Sequence, residues 1–204
     1  MLEVIDLACA RGEQQLFSGV HFELNEGDLL QVQGENGSGK TTLLRALCGF
    51  IQPLNGNIIW RGHSIHELCE EYHANIIYLG HHNAVKDELN ALENLRISSA
   101  LSGCEIGEDR AKTALMRMGL RGRETLPVKM LSQGQRRRVA LARLLVSKAP
   151  LWILDEPLAA LDSKAAGLMQ ELIAQHLANR GMVIFTTHQI LEVTGVEMRR
   201  ITLS

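Results

Sequence analysis

The sequence predicts an α/β fold built round a mostly parallel sheet, and three observations carry that expectation. Short apolar runs with strand character at residues 29–33, 75–79, 151–154 and 182–186 alternate with stretches of helical period, the order that yields parallel strands joined by helices. The run at 29–33 leads straight into Gly34-Glu35-Asn36-Gly37-Ser38-Gly39-Lys40-Thr41-Thr42. That stretch fits the phosphate-loop pattern G-x-x-x-x-G-K-[ST] at every fixed position, with a helix expected behind it. Residues from about 89 to 148 then carry helical periods and no convincing strand. A helical insertion therefore divides two strand-rich parts.

Residues 2–8 and 16–24 read as strands with Gly12 marking a turn between them, an antiparallel β-subdomain at the N-terminus. Asn25-Glu26-Gly27 turns the chain into the strand at 29–33, and the helix over 42–48 stops at Gly49. Pro53-Leu54-Asn55-Gly56 reads as a turn and 57–60 as a short strand. Ser64 can cap a helix running to Tyr72, and 75–79 is apolar enough for a buried strand. Helices are expected at 92–102, 107–118 and 133–147 within the insertion, then a strand at 151–154, a helix at 163–178 and a strand at 182–186. No repeat, low-complexity tract or linker marks off a second domain. The expectation is one domain over residues 1–204, with a helical subdomain at about 88–148.

A chain of 204 residues can bury a sizeable core. Its net charge of −2 and pI of about 6.4 supply no basic field, so nucleic acid is not an expected partner. No run approaches the roughly 20 apolar residues of a membrane-spanning helix, and the first residues lack the basic and apolar regions of a signal peptide. Membrane association is expected only through a partner. Cys9, Cys48, Cys69 and Cys104 lie far apart with no C-x-x-C pair, as suits inert thiols in a reducing cytoplasm. His63, His66, His73, His81 and His82 are irregularly spaced, unlike the fixed offsets of a metal site.

The chemistry starts in the loop. Its glycines let backbone N–H groups turn inward, and the next helix points its positive end at the same place. Lys40 is expected to reach the β- and γ-phosphates, and the Thr41 hydroxyl to ligate Mg²⁺. The strand at 151–154 ends in Asp155-Glu156. Burying that strand puts Asp155 beside Lys40 and Thr41, where it can hold the Mg²⁺ shell. Glu156 is then left to orient or deprotonate a water in line with the γ-phosphate.

Leu131-Ser132-Gln133-Gly134-Gln135 precedes a helix. With it the chain resembles the nucleotide-binding subunits of ABC transporters, whose LSGGQ signature it varies. Pro157-Leu158-Ala159-Ala160-Leu161-Asp162 resembles the family's D-loop, with Asp162 its aspartate. Thr186-Thr187-His188 resembles the strand end that carries its switch histidine, with His188 the γ-phosphate sensor. The resemblance spans essentially the whole chain. It implies a P-loop NTPase fold with a RecA-like core, an N-terminal antiparallel β-subdomain and an inserted α-helical signature subdomain. It also implies ATP hydrolysis with ATP and Mg²⁺. Ser132, Gly134, Gln135 and the N–H groups of the following helix would form an anion site. In the family that site meets the γ-phosphate held by another subunit, so the resemblance implies a two-fold homodimer enclosing two ATP. The run Arg136-Arg137-Arg138 reads as a solvated helix face near bound phosphate rather than a nucleic-acid patch.

Two positions depart from the family. Its adenine-stacking aromatic aligns with Arg11, whose guanidinium plane can stack on a base. Its Q-loop glutamine aligns with His81, an imidazole that can still donate or accept and is a further candidate for the Mg²⁺ shell. Within the family, the short length, Tyr78-Leu79-Gly80-His81-His82 and residues 131–138 resemble the ATPase subunits of cytochrome c maturation (haem export) systems. That resemblance implies powering haem export or the release of a haem-loaded periplasmic chaperone. It further implies a peripheral place on the cytoplasmic face of the bacterial inner membrane and integral membrane partners of the CcmB and CcmC kind, with only an indirect link to the chaperone. The alternatives are the ATPase of another ABC transporter, or a soluble ABC-type ATPase acting on DNA or ribosomes. DNA-repair members carry long coiled-coil insertions and ribosome-acting members carry two cassettes, whereas this chain has one P-loop and no sustained heptads.

Overall fold

Alternating apolar positions draw Leu2–Arg11 (β1) and Gln14–Leu24 (β2) into an antiparallel hairpin. Leu29–Gln33 (β3) feeds the loop and the helix Lys40–Leu47 (α1) behind it. Asn55–Trp60 (β4) pairs antiparallel with the other side of β1, and His63–Ser64 (β5) pairs with β4. These make one four-stranded sheet in the order β2-β1-β4-β5. The second sheet takes Ile76–Leu79 (β6), Leu151–Asp155 (β7), Met182–Thr186 (β8) and Met198–Thr202 (β9), in the order β6-β7-β8-β3-β9. Its β7–β8, β8–β3 and β3–β9 pairs are parallel. Every residue of β7 and β8 is buried, which is why both are continuous runs without polar alternation.

The computed structural model describes residues 1–203, which fall into two units. The first comprises Met1–Tyr78, Ala149–Glu156 and the chain from Ile173 onward. In its core, Leu2, Val4 and Leu24 belong to one cluster with Leu30, Val32, Leu43, Leu44, Leu47, Ile153 and Ile184. Trp60 and Tyr72 meet edge to face at 5.6 Å, and the Tyr72 hydroxyl donates to the Leu47 carbonyl at 2.6 Å. The bond satisfies a phenol that the core would otherwise penalise, and it ties down the end of α1.

The second unit comprises Leu79–Lys148 and Pro157–Leu172. Its helices Ala91–Leu101 (α4), Glu108–Arg117 (α5) and Gln133–Val146 (α6) pack on one another and bury Leu95, Ala111, Leu115, Val139 and Ala140. A reciprocal cap starts α4: Asn90 accepts from Glu93 N–H and Glu93 accepts from Asn90 N–H, both at 2.8 Å. Helix Ser163–Ala178 (α7) begins in this unit and ends in the first. Among the described residues no helix is long and apolar enough to cross a membrane.

Four local features differ from expectation. The helix after Ser64 is broken at Cys69, whose φ of +38° no helix accepts, into Ile65–Leu68 (α2) and Glu70–Ala74 (α3). Asn55 and Gly56 belong to β4 rather than a turn. Gly56, at φ +90°, lies against the Ile5 and Asp6 carbonyls where β1 bulges, and a Cβ would overlap both. Helix α1 opens at Lys40, two residues early. Strand β9 was not expected: Met-Arg-Arg-Ile-Thr is an edge strand with two exposed arginines and no apolar run.

Candidate functional site

Strand β3 delivers the chain into a loop that only glycine can form. Gly34, Gly37 and Gly39 have φ of +149°, +89° and +96°, a region that side chains avoid. A Cβ on Gly34 would overlap the Ser38 hydroxyl and come within 2.9 Å of the Leu203 carbonyl. On Gly39 it would come within 2.8 Å of the Phe17 ring. The loop is thus wedged between the residue that follows β9 and the start of β2. Lys40 Nζ donates to the carbonyls of Gly34 and Glu35, 2.8 Å each, which draws the loop around the ammonium. The Ser38 hydroxyl is buried without a hydrogen-bond partner, and no side chain caps the first turn of α1. Unmet donors beside a lysine are what a phosphate requires.

The end of β7 supplies the acids. Asp155 is 3% exposed; its carboxylate accepts from Thr41 Oγ1 at 2.8 Å and from Thr186 Oγ1 at 2.7 Å. The parallel register pairs Asp155 with Thr186 directly, so the second contact follows from strand alignment. Thr186 Oγ1 also accepts from Glu156 N–H at 3.1 Å. One hydroxyl therefore fixes both acidic residues. Sequence reasoning did not give Thr186 a role: a threonine closing an otherwise apolar run is visible in the sequence, but its pairing with Asp155 is not. Glu156 has a φ of +51°, which turns its side chain off the strand path. It accepts from His188 N–H at 3.3 Å, and its other oxygen lies 3.6 Å from His188 Nε2. The carboxylate side is 17% exposed and the imidazole 61%, so the acid is sheltered and the histidine faces outward. Burial, and then the negative charge of Asp155, push the Tyr78 phenol on β6 up to about 12. The Thr41 and Asp155 oxygens suit a hard divalent cation that keeps most of its shell for phosphate and water. Arg11 is exposed at the end of β1, opposite Gln14.

The second unit holds the signature. Ser132 caps α6 by accepting from Gln135 N–H at 3.3 Å, while Gln135 Oε1 accepts from Ser132 N–H at 3.0 Å. A Cβ on Gly134 would come within 3.0 Å of the Ala160 carbonyl, and Ala160 itself has a φ of +61°. Asp162 accepts from Ala165 N–H at 2.8 Å and pairs with Arg138. The Ala165 N–H, seconded by the Arg138 charge, holds its carboxyl below the usual range. His81 is exposed, its ring edge-on to that of His82 at 5.7 Å.

Arg136, Arg137 and Arg138 are not the solvated face the sequence suggested. Consecutive helical residues point about 100° apart, so each arginine meets a different loop. Arg136 donates to the Leu131 and Lys129 carbonyls at 3.1 and 2.9 Å and to Asp87 at 3.0 Å. Arg137 donates to the Gly80 carbonyl at 2.9 Å and to Asn83 Oδ1 at 3.3 Å. Arg138 takes Asp162.

A sequence profile of the family described as ABC transporter matches residues 17–159. The chain is 57% identical over 203 residues to the cytochrome c biogenesis ATP-binding export protein CcmA of Nitrosospira multiformis, covering 100% of this chain and 98% of that one. It is 54% identical over 204 residues to the protein of the same name from Nitrosomonas europaea, covering 100% and 96%. Among solved structures, a dimeric post-hydrolysis state of an ATP-binding cassette bound to ADP and Pi superposes with a TM-score of 0.87. The two are 25% identical, over 100% of this chain and 94% of the other.

Proposed function

Because the chain belongs to the ABC transporter family, we propose that it is the ATP-hydrolysing subunit of a membrane export complex in cytochrome c maturation. Hydrolysis powers haem export or release of a haem-loaded periplasmic chaperone. The observation that carries the hydrolytic reading is Glu156, held against His188 one residue beyond an Asp155 that is bonded to the loop's Thr41. The cargo reading is supported by the name of relatives alike from end to end.

In this reading residues 1–204 work as one ATP-binding domain. The N–H groups at Gly34, Glu35, Asn36, Gly37, Ser38 and Gly39, with Lys40 and Thr42, bind the β- and γ-phosphates. Thr41 and Asp155 hold Mg²⁺, which when bound neutralises charge on those phosphates; His81 is a further candidate for its shell. Glu156 takes the proton of the attacking water, and His188 steadies the carboxylate while its exposed ring addresses the γ-phosphate. Thr186 keeps Asp155 and Glu156 in register. Arg11 stacks on the base. Ser132, Gly134 and Gln135, with Asp162 behind them, complete the site of a second copy, so the working form is a homodimer. That dimer sits peripherally on the cytoplasmic face of the inner membrane, docked on integral subunits of the CcmB and CcmC kind.

The test is to trap Glu156→Gln with ATP in native membranes and identify what co-purifies. Membrane proteins of cytochrome c maturation are expected. Unrelated permease subunits would keep the ATPase and remove the haem assignment, and ribosomes or DNA would overturn the transport class.

A further inference from the structure

Arg137 is 3% exposed, and a guanidinium that deep is tolerable only where its N–H groups are met. One Nη donates to the Gly80 carbonyl and to Asn83 Oδ1. Those acceptors stand on either side of His81 and His82. The guanidinium therefore grips both ends of a four-residue loop while leaving the two rings between them exposed. Arg137 also belongs to the second turn of α6, whose first turn is closed by the Ser132–Gln135 cap. Neighbouring arginines pin the same helix start to residues 87, 129 and 131 and to Asp162. The rigid guanidinium plane fixes the direction of both bonds, whereas a lysine ammonium sits on a flexible stem.

We propose that Arg137 is a positioning residue that makes the His81 loop and the Ser132 helix start one mechanical piece. A displacement of the loop on nucleotide binding is then delivered to the signature serine, and the reverse. The proposal rests on the reading above, in which both His81 and Ser132 address nucleotide. Arg137 touches no phosphate in this scheme; it acts through the loop.

The test uses the full-length dimer and the variants Arg137→Lys and Asn83→Ala, singly and together. Wild-type ATP turnover, measured first, separates failure of this proposal from failure of the ATPase reading. Nucleotide affinity, KM, kcat per nucleotide-binding subunit and Tm are then compared. Both single variants should keep ATP affinity and KM within about twofold and lose on the order of tenfold in kcat, as a catalytic group displaced by a fraction of an ångström does. The double variant should fall no further than Arg137→Lys alone, because the contact that Asn83→Ala removes is one of those Arg137→Lys already removes. A lower Tm with kcat per binding-competent subunit unchanged would reduce Arg137 to a structural prop and overturn the proposal. Losses that multiply in the double variant would overturn it as well. Asn83→Ala leaves the buried guanidinium in place, so a folding failure of Arg137→Lys does not remove the test.

Discussion

Gly34 is the residue at which the loop is least forgiving. Its φ of +149° and the contacts waiting for a Cβ, the Ser38 hydroxyl and the Leu203 carbonyl, act together. Backbone strain of this sort costs about 1–3 kcal/mol, and it falls on the loop proposed to hold the phosphates. Gly34→Ala should therefore weaken ATP binding by about tenfold or more. A fluorescent-nucleotide titration would show it, and wild-type affinity in that variant would mean the loop has room the structure does not give it. The loop was legible from residue types at short fixed spacing, and the placing of Asp155 beside Thr41 from two acids closing an apolar run. Thr186 was not, because its role comes from register: it faces Asp155 across two parallel strands whose order in space no local pattern states.

Among the elements, α6 couples stability to chemistry through one residue. Ser132 closes its cap, so Ser132→Ala should cost about 1 kcal/mol and lower Tm by roughly 2–4 °C for a chain of this size. In the proposed dimer the same change should cut ATP turnover further than Tm implies, with nucleotide binding by the single chain nearly intact. Equal losses in binding and turnover would contradict action on a second copy's nucleotide. Most elements were readable because the helices bury one face and strands such as β7 and β8 bury their whole length, which the sequence shows as a helical period or an apolar run. Strand β9 escaped because an edge strand carrying Arg199 and Arg200 has no apolar signature. The break at Cys69 escaped because it depends on a backbone angle, not a Gly or Pro. The arginine run was misread for a related reason: charge implies solvent unless nearby carbonyls and carboxylates are arranged to receive it, and folding supplies those.

At the scale of the whole molecule, stability should depend on pH through His176. Its ring stacks on Trp152 at 3.8 Å and 10°, and its Nε2 lies 3.1 Å from the Pro150 carbonyl. Burial lowers its pKa from 6.5, against a smaller opposing effect of the backbone bonds to Pro150 and Met182. A depressed histidine contributes stability that is whole above the unfolded value. It is lost as pH falls from there through the folded one, where the unfolded chain binds the extra proton. Tm should fall between pH 7.5 and 5.5, and His176→Phe, which keeps an aromatic face for Trp152, should flatten that fall. An unchanged slope would assign the acid sensitivity elsewhere.

The order of strands has a consequence in time. Strand β3, which launches the phosphate loop, has β8 on one side and β9 on the other. Both are translated after every other strand, with β9 last. At cellular rates of synthesis β3 leaves the ribosome on the order of ten seconds before either neighbour. During that interval the loop has neither flanking strand nor the Leu203 carbonyl against which Gly34 rests. Until residues 182–203 have been made and have folded, the loop therefore lacks the strand partners and the carbonyl contact described above.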